Sequence, residues 1–252
     1  MENIHFNRSA VRPVECLKQG WALIKDQYWL FLGVVIVGLI IGSLAPFGIL
    51  LGPMMCGIYF CLFKKKQGEV ASFDMLFKGF DYFKAGAITS IIQVAPVMIL
   101  YLVIYLPLIT IRLTRMMAEM QSRGRRSNEL PDLSFLFATM GLEIAVVFCI
   151  SIIAYILHII FFFSYPLIAE RNLAAKEAIK TSFSAVLANI GGVIGLLLLQ
   201  ILLSIVGVLA CYVGAIFLIP ITYASNAIAY KQVFSDSQGG FTNEPPMPPK
   251  EW

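Results

Sequence analysis

The side chains with the most chemistry to offer are the few polar ones set inside apolar stretches: Gln93, Glu143, His158, Gln200 and Asn226. An ionisable group near mid-bilayer costs about 2.5–3.5 kcal/mol on insertion scales, so Glu143 and His158 are candidates for function if their stretch lies in lipid. Glu143 sits toward one end of that stretch, within reach of headgroups, water or a partner. His158 sits deeper, with Tyr155 one turn away. A neutral imidazole bonded to a carbonyl or hydroxyl is its plainer role, and a proton relay the sharper one. The two lie about 22 Å apart along one helix, too far for a dyad. Gln93, Gln200 and Asn226, with Ser204 and Ser225, either line a pore or hydrogen-bond helix to helix at about 1 kcal/mol or less each.

A second set is Arg112, Arg115, Arg123, Arg125 and Arg126. Guanidinium forks match phosphate geometry, so these are candidate headgroup or phosphate contacts; a solvated loop is the alternative. The chain has no HExxH, GxSxG, P-loop or glycine-rich dinucleotide turn, and no pair of aspartates inside an apolar stretch. No catalytic, cofactor-binding or metal-ligating residue is assigned, and a non-catalytic protein without cofactor is expected. The five cysteines are odd in number and form no CxxC, so neither a disulfide framework nor a zinc site is indicated.

Composition decides what must hold these residues. Of 252 residues, 59% are hydrophobic and 13% charged, against about 25% charged in soluble domains. A core of this size cannot hide that much apolar surface, so lipid must solvate part of it. The net charge of +4 therefore points to the cytoplasmic side of a membrane and not to nucleic acid. The expected fold is all-α: a polytopic membrane helical bundle with six transmembrane helices and three interfacial amphipathic helices.

The spans fall at about 28–45, 48–63, 85–111, 141–165, 190–210 and 213–231, within a single transmembrane domain over 1–231. Ala45, Pro46, Phe47 and Gly48 break the first apolar run, and Lys64, Lys65 and Lys66 stop the second span. Nothing before Tyr28 resembles the apolar core of a cleaved signal peptide, so the first span is expected to direct insertion itself. Gly38 with Gly42, and Gly191 with Gly195, have the spacing of close helix packing. Residues 112–132 form the one substantial polar loop. Residues 232–252 form a disordered Pro-rich tail, where Pro245, Pro246, Pro248 and Pro249 are spaced to dock a protein partner in the polyproline form. With both termini cytoplasmic, fourteen of the nineteen lysines and arginines lie inside, as the positive-inside bias asks of an inner-membrane protein.

The three lead-in helices share a pattern of acid, aliphatic at +2, small at +5, aromatic at +6 and hydrophobic at +9. It reads Glu15, Leu17, Gly20, Trp21, Ile24, then Asp74, Leu76, Gly79, Phe80, Phe83, then Glu177, Ile179, Ser182, Phe183, Val186. Each precedes two spans, which suggests a triplicated unit over 10–66, 72–171 and 172–231. Ser72 and Asn172 are expected to cap the second and third of these helices. The expected apolar faces are Leu17, Trp21, Ile24 and Tyr28 on the first helix, and Phe73, Leu76, Phe77, Phe80 and Phe83 on the second.

The segment Leu167, Ile168, Ala169, Glu170, Arg171, Asn172, Leu173, then Glu177 to Ser182, Cys211 with Gly214, Pro220, and Ala229, Tyr230, Lys231 resembles a group of bacterial polytopic membrane proteins. That group includes the membrane domain attached to some glycerophosphodiester phosphodiesterases. The resemblance covers most of the chain, best from Pro166 to Phe234, and implies a multi-pass fold in membrane lipid. These 252 residues hold no soluble phosphodiesterase domain, so neither that activity nor any functional residue carries over. The expected role is membrane assembly, scaffolding or envelope homeostasis. The alternative is a transporter or channel for a small or lipid-like solute.

Overall fold

The computed structural model describes residues 4–123, 133–209 and 213–234, and among them it contains helices and no strand. Four helical stretches are long and apolar enough to cross a membrane: Pro13–Leu44, Phe73–Ala118, Met140–Arg171 and Ile190–Leu209.

Helix α1 (Pro13–Ile24) opens on Pro13, whose missing N–H is not needed in a first turn. Its buried positions are Cys16, Gly20 and Ile24. They differ from the face read from apolar periodicity, for Trp21 is 46% exposed. Small residues decide the contact: a Cβ on Gly20 would lie 2.8 Å from the Ser225 backbone N in the last helix, while the aromatic faces outward. A short 3-10 turn leads into α2 (Tyr28–Ser43). The chain then reverses through Pro46–Gly48, where Phe47 (φ 56°) and Gly48 (φ 71°) are left-handed, and α3 runs from Leu51 to Lys66.

Residues Phe73–Tyr82 form a ten-residue 3-10 helix, longer than the usual three or four residues. Ser72 stands before it without a side-chain cap bond. At three residues per turn the expected single apolar face splits in two. Leu76 and Gly79 turn inward, and Phe77, Phe80 and Phe83 form an exposed ridge. The inward ridge meets α3 backbone to backbone. A Cβ on Gly79 would come within 2.0 Å of the Pro53 carbonyl, and one on Gly57 within 2.0 Å of the Leu76 carbonyl.

Helix α4 (Phe83–Arg123) is 41 residues long, about 61 Å. It continues where a polar loop was expected from residue 112. Residues 113–121 are good helix formers with no glycine or proline, and charge alone does not end a helix. Helix α5 (Leu133–Ile160) returns beside it. The expected span to 165 breaks at 161–163, because Ser182 holds the break open: its hydroxyl donates to the Ile160 carbonyl at 2.8 Å and accepts the Phe163 N–H at 3.1 Å. After α6 (Ser164–Arg171), Asn172 takes a left-handed conformation and closes that helix. It does not cap α7 (Ala175–Ala188), which Ala174 precedes without a side-chain bond. Helices α8 (Ile190–Leu209) and α9 (Val213–Phe234) complete the bundle.

The core lies among α1, α2, α3, α6 and α9, around Ile24, Phe31, Phe63, Phe163, Leu167, Tyr230 and Phe234. The two ends of the described chain are tied together there. The Asn7 N–H donates to the Val233 carbonyl at 2.8 Å, and the Asn189 side chain bonds both Asn7 and Ala10.

Candidate functional site

A cavity of about 400 Å³ opens between the long helices. Its polar lining comes from Tyr59 on α3, Gln93 on α4, His158 on α5, Tyr165 on α6, Ser204 on α8 and Asn226 on α9, joined by Thr222 and Tyr223. The rest is aliphatic and aromatic, including Leu39, Met55, Phe162 and Ile219. No charged side chain is among its lining residues. It is an apolar hollow with neutral hydroxyl, amide and imidazole groups on its wall.

The helices fix those groups through each other. The Tyr165 hydroxyl donates to Gln93 Oε1 at 2.7 Å, linking α6 to α4. Gln200 Nε2 donates to Asn226 Oδ1 at 2.8 Å, linking α8 to α9; both side chains are buried. The Ser204 hydroxyl donates to the Gln200 carbonyl at 2.8 Å, a local bond that keeps this polar atom satisfied within its own helix. His158 is exposed beside the cavity, its ring 6.4 Å from that of Tyr155. Among the described residues no hydrogen bond reaches its imidazole.

The structure therefore brings Gln93, His158 and Asn226 to one cavity, with Gln200 one bond behind. Glu143 is elsewhere. Arg112 Nη1 donates to both its carboxylate oxygens, at 3.0 and 3.1 Å, across the α4–α5 hairpin. That pairing occupies Arg112 Nη1, and the side chain stays 36% exposed. Arg115 lies exposed one turn further along α4. Arg123 ends the helix, while Arg125, Arg126 and the Pro-rich tail lie outside the described residues. Among the described residues, no group of three or more His, Cys, Asp or Glu is placed to hold a metal ion.

Sequence reasoning passed over Tyr59, Tyr165, Thr222 and Tyr223. The tyrosines read as part of their apolar runs, yet a phenol inside a span carries a hydroxyl that needs a partner, and that was the signal available. No protein-family model, curated protein or solved structure matches this chain.

Proposed function

We propose that this is a non-catalytic, multi-pass bacterial inner-membrane protein that carries a small or lipid-like solute through the cavity between its spans. The cavity is the observation that bears this reading: an apolar hollow within reach of lipid, with neutral hydrogen-bonding groups held on its wall by inter-helix bonds. Such a lining suits an uncharged amphiphile, one that brings its own hydroxyl or amide and an apolar body. A proton- or ion-coupled pump is disfavoured by the absence of lining charge.

The arrangement we propose has six crossings with both termini cytoplasmic. Lys64, Lys65 and Lys66 end α3 on the same face as the paired chain ends, which supports that orientation. At 16 residues, α3 is about 24 Å long, and local thinning or lysine snorkelling accommodates so short a span. The resemblance to bacterial polytopic membrane proteins fits the same reading, as does a tail that offers a docking motif to a protein partner.

A scaffold or assembly role is the second reading. It is favoured by Gln200 and Asn226, which satisfy each other and act as interhelical glue. Reconstituted vesicles separate the two. A fluorescent fatty alcohol should cross faster with the protein present, and the gain should vanish in Asn226→Leu and in Ala215→Trp. The second variant fills the cavity without removing a polar group. Flux unchanged by both variants, with the protein folded, leaves the scaffold reading standing and rejects the carrier.

A further inference from the structure

We propose that a second cavity, on the face where the chain ends meet, is an anion site that receives a phosphate group. The cavity measures about 630 Å³ and is unlike the first in chemistry. Three cations from separate elements line it: Arg12 at the start of α1, Lys66 in the last turn of α3 and Lys231 near the end of α9. Amides from Asn7, Gln19 and Gln232, the Ser9 hydroxyl and one carboxylate, Glu15, complete its polar lining.

The charges do not cancel. Lys231 is bonded to Glu170 of α6. Arg12 lies 3.5 Å from Glu15, which also accepts a hydrogen bond from Gln19 at 2.9 Å. Lys66 has no carboxylate within ion-pair distance among the described residues, although it is half-buried. Burial first, and the neighbouring Lys231 second, lower its pKa from the ordinary lysine value. A half-buried ammonium without a counter-ion is costly, and an anion placed beside it relieves that cost.

The donors are arranged for an oxyanion. Gln232 Oε1 accepts from the Arg12 N–H at 3.0 Å and from Cys16 Sγ at 3.2 Å, which fixes the amide and leaves its NH2 as a donor. The start of α1 contributes its own end-of-helix polarity, for Arg12 makes no side-chain cap. An ammonium, a guanidinium and a primary amide together recognise the non-ester oxygens of a phosphate, with the guanidinium supplying two parallel N–H groups. A phospholipid headgroup and a soluble phosphate present the same oxygens.

The test uses the full-length protein in maltoside detergent micelles and phosphate-free buffer, so that no phosphate is present at the start, and reads the thermal unfolding midpoint. One arm adds phosphatidylglycerol to the micelles, and the other adds inorganic phosphate to the buffer. A rise with phosphatidylglycerol alone assigns the lipid source, and a rise with inorganic phosphate assigns the soluble one. In either case Lys66→Gln should weaken the response by about tenfold in ligand concentration, and Lys66→Arg should restore most of it. Lys78→Gln, on the outer surface of the 3-10 helix, controls for general attraction between a basic protein and anions. No rise in either arm overturns the site, and so does a loss in Lys78→Gln as large as that in Lys66→Gln.

Discussion

Glu143 and Arg112 show how an ionised side chain is carried on an otherwise apolar helix. The guanidinium bonds both carboxylate oxygens, and the side chains are 36% and 15% exposed. Arg112 lies about 44 Å along α4 from Phe83, so the pair belongs near the far headgroup layer when Phe83 sits at the near one. Partial solvation there discounts the several kcal/mol that a deeply buried stranded charge costs. Glu143→Met and Arg112→Met should each lower stability by about 1–2 kcal/mol, and the two combined should recover most of it. Thermal unfolding of both single variants and the double variant in detergent gives the coupling directly. A coupling of zero means that the pair is only a coincidence of two long side chains. Glu143 was legible in the sequence as a rare charge in an apolar run, but its partner was not. Arg112 follows a long apolar stretch and is followed by more arginines, a pattern that reads as a loop. Only the continuation of α4 past it turns the guanidinium toward α5. The cavity shares this asymmetry: Gln93, His158 and Asn226 were each visible as polar interruptions, but their meeting at one cavity depends on helix rotations that period alone does not fix.

Among the helices, contact is set by where side chains are missing. Gly57 and Gly79 let α3 and the 3-10 helix cross with carbonyls only 2.0 Å from the positions that a Cβ would take, and Gly52 does the same against the Gly86 carbonyl of α4. These are backbone atoms of two packed elements and cannot swing aside. Gly57→Ala and Gly79→Ala should each destabilise by about 1–3 kcal/mol, the usual range for overpacking. Gly141→Ala and Gly191→Ala meet no atom within 4 Å and should be neutral or gain up to about 1 kcal/mol in helix propensity. Denaturation midpoints of the four variants measure this. Equal losses at all four positions would mean that glycine acts there through flexibility and not through space. The Gly191 result also bears on reading motifs. Gly191 and Gly195 were spaced as a packing pair, but the close approaches are at Gly192, where a Cβ would lie 2.5 Å from the Val11 carbonyl, and at Gly195, where one would lie 2.9 Å from Pro13 Cγ. The glycine next to the motif, Gly192, and not its first member faces the N-terminal segment. The 3-10 helix was misread for a related reason. Its phenylalanines fit a helical period, but a crossing at Gly57 and Gly79 needs the ridge of a tighter helix, which separates Leu76 from Phe77, Phe80 and Phe83.

At the scale of the whole molecule, the small residue at +5 in each lead-in helix marks a close contact with another helix. Gly20 meets Ser225 of α9, Gly79 meets Pro53 and Gly57 of α3, and Ser182 bonds the end of α5 at Ile160 and Phe163. Each lead-in helix thus leans on the helix ending the pair before its own, and the first leans on the last. The six-crossing arrangement we propose sets the three lead-in helices on one side of the membrane. It also commits the chain to a definite topology, because units with two crossings each must share one orientation. The α4–α5 connection must then face away from the side that holds Lys64, Lys65 and Lys66. A cysteine at Ser127, introduced after the native cysteines are replaced, should react with a membrane-impermeant maleimide added outside intact cells stripped of any outer envelope. A cysteine at Val70, exposed just past the lysines, should react only after lysis. Protection of both positions would place residue 127 inside and make α4 a helix that enters and returns. Its 41 residues argue against that, since about 61 Å of helix exceeds the roughly 30 Å of hydrocarbon by enough to cross and emerge. Reaction at Ser127 with protection at Val70 is the result that the proposed six crossings require.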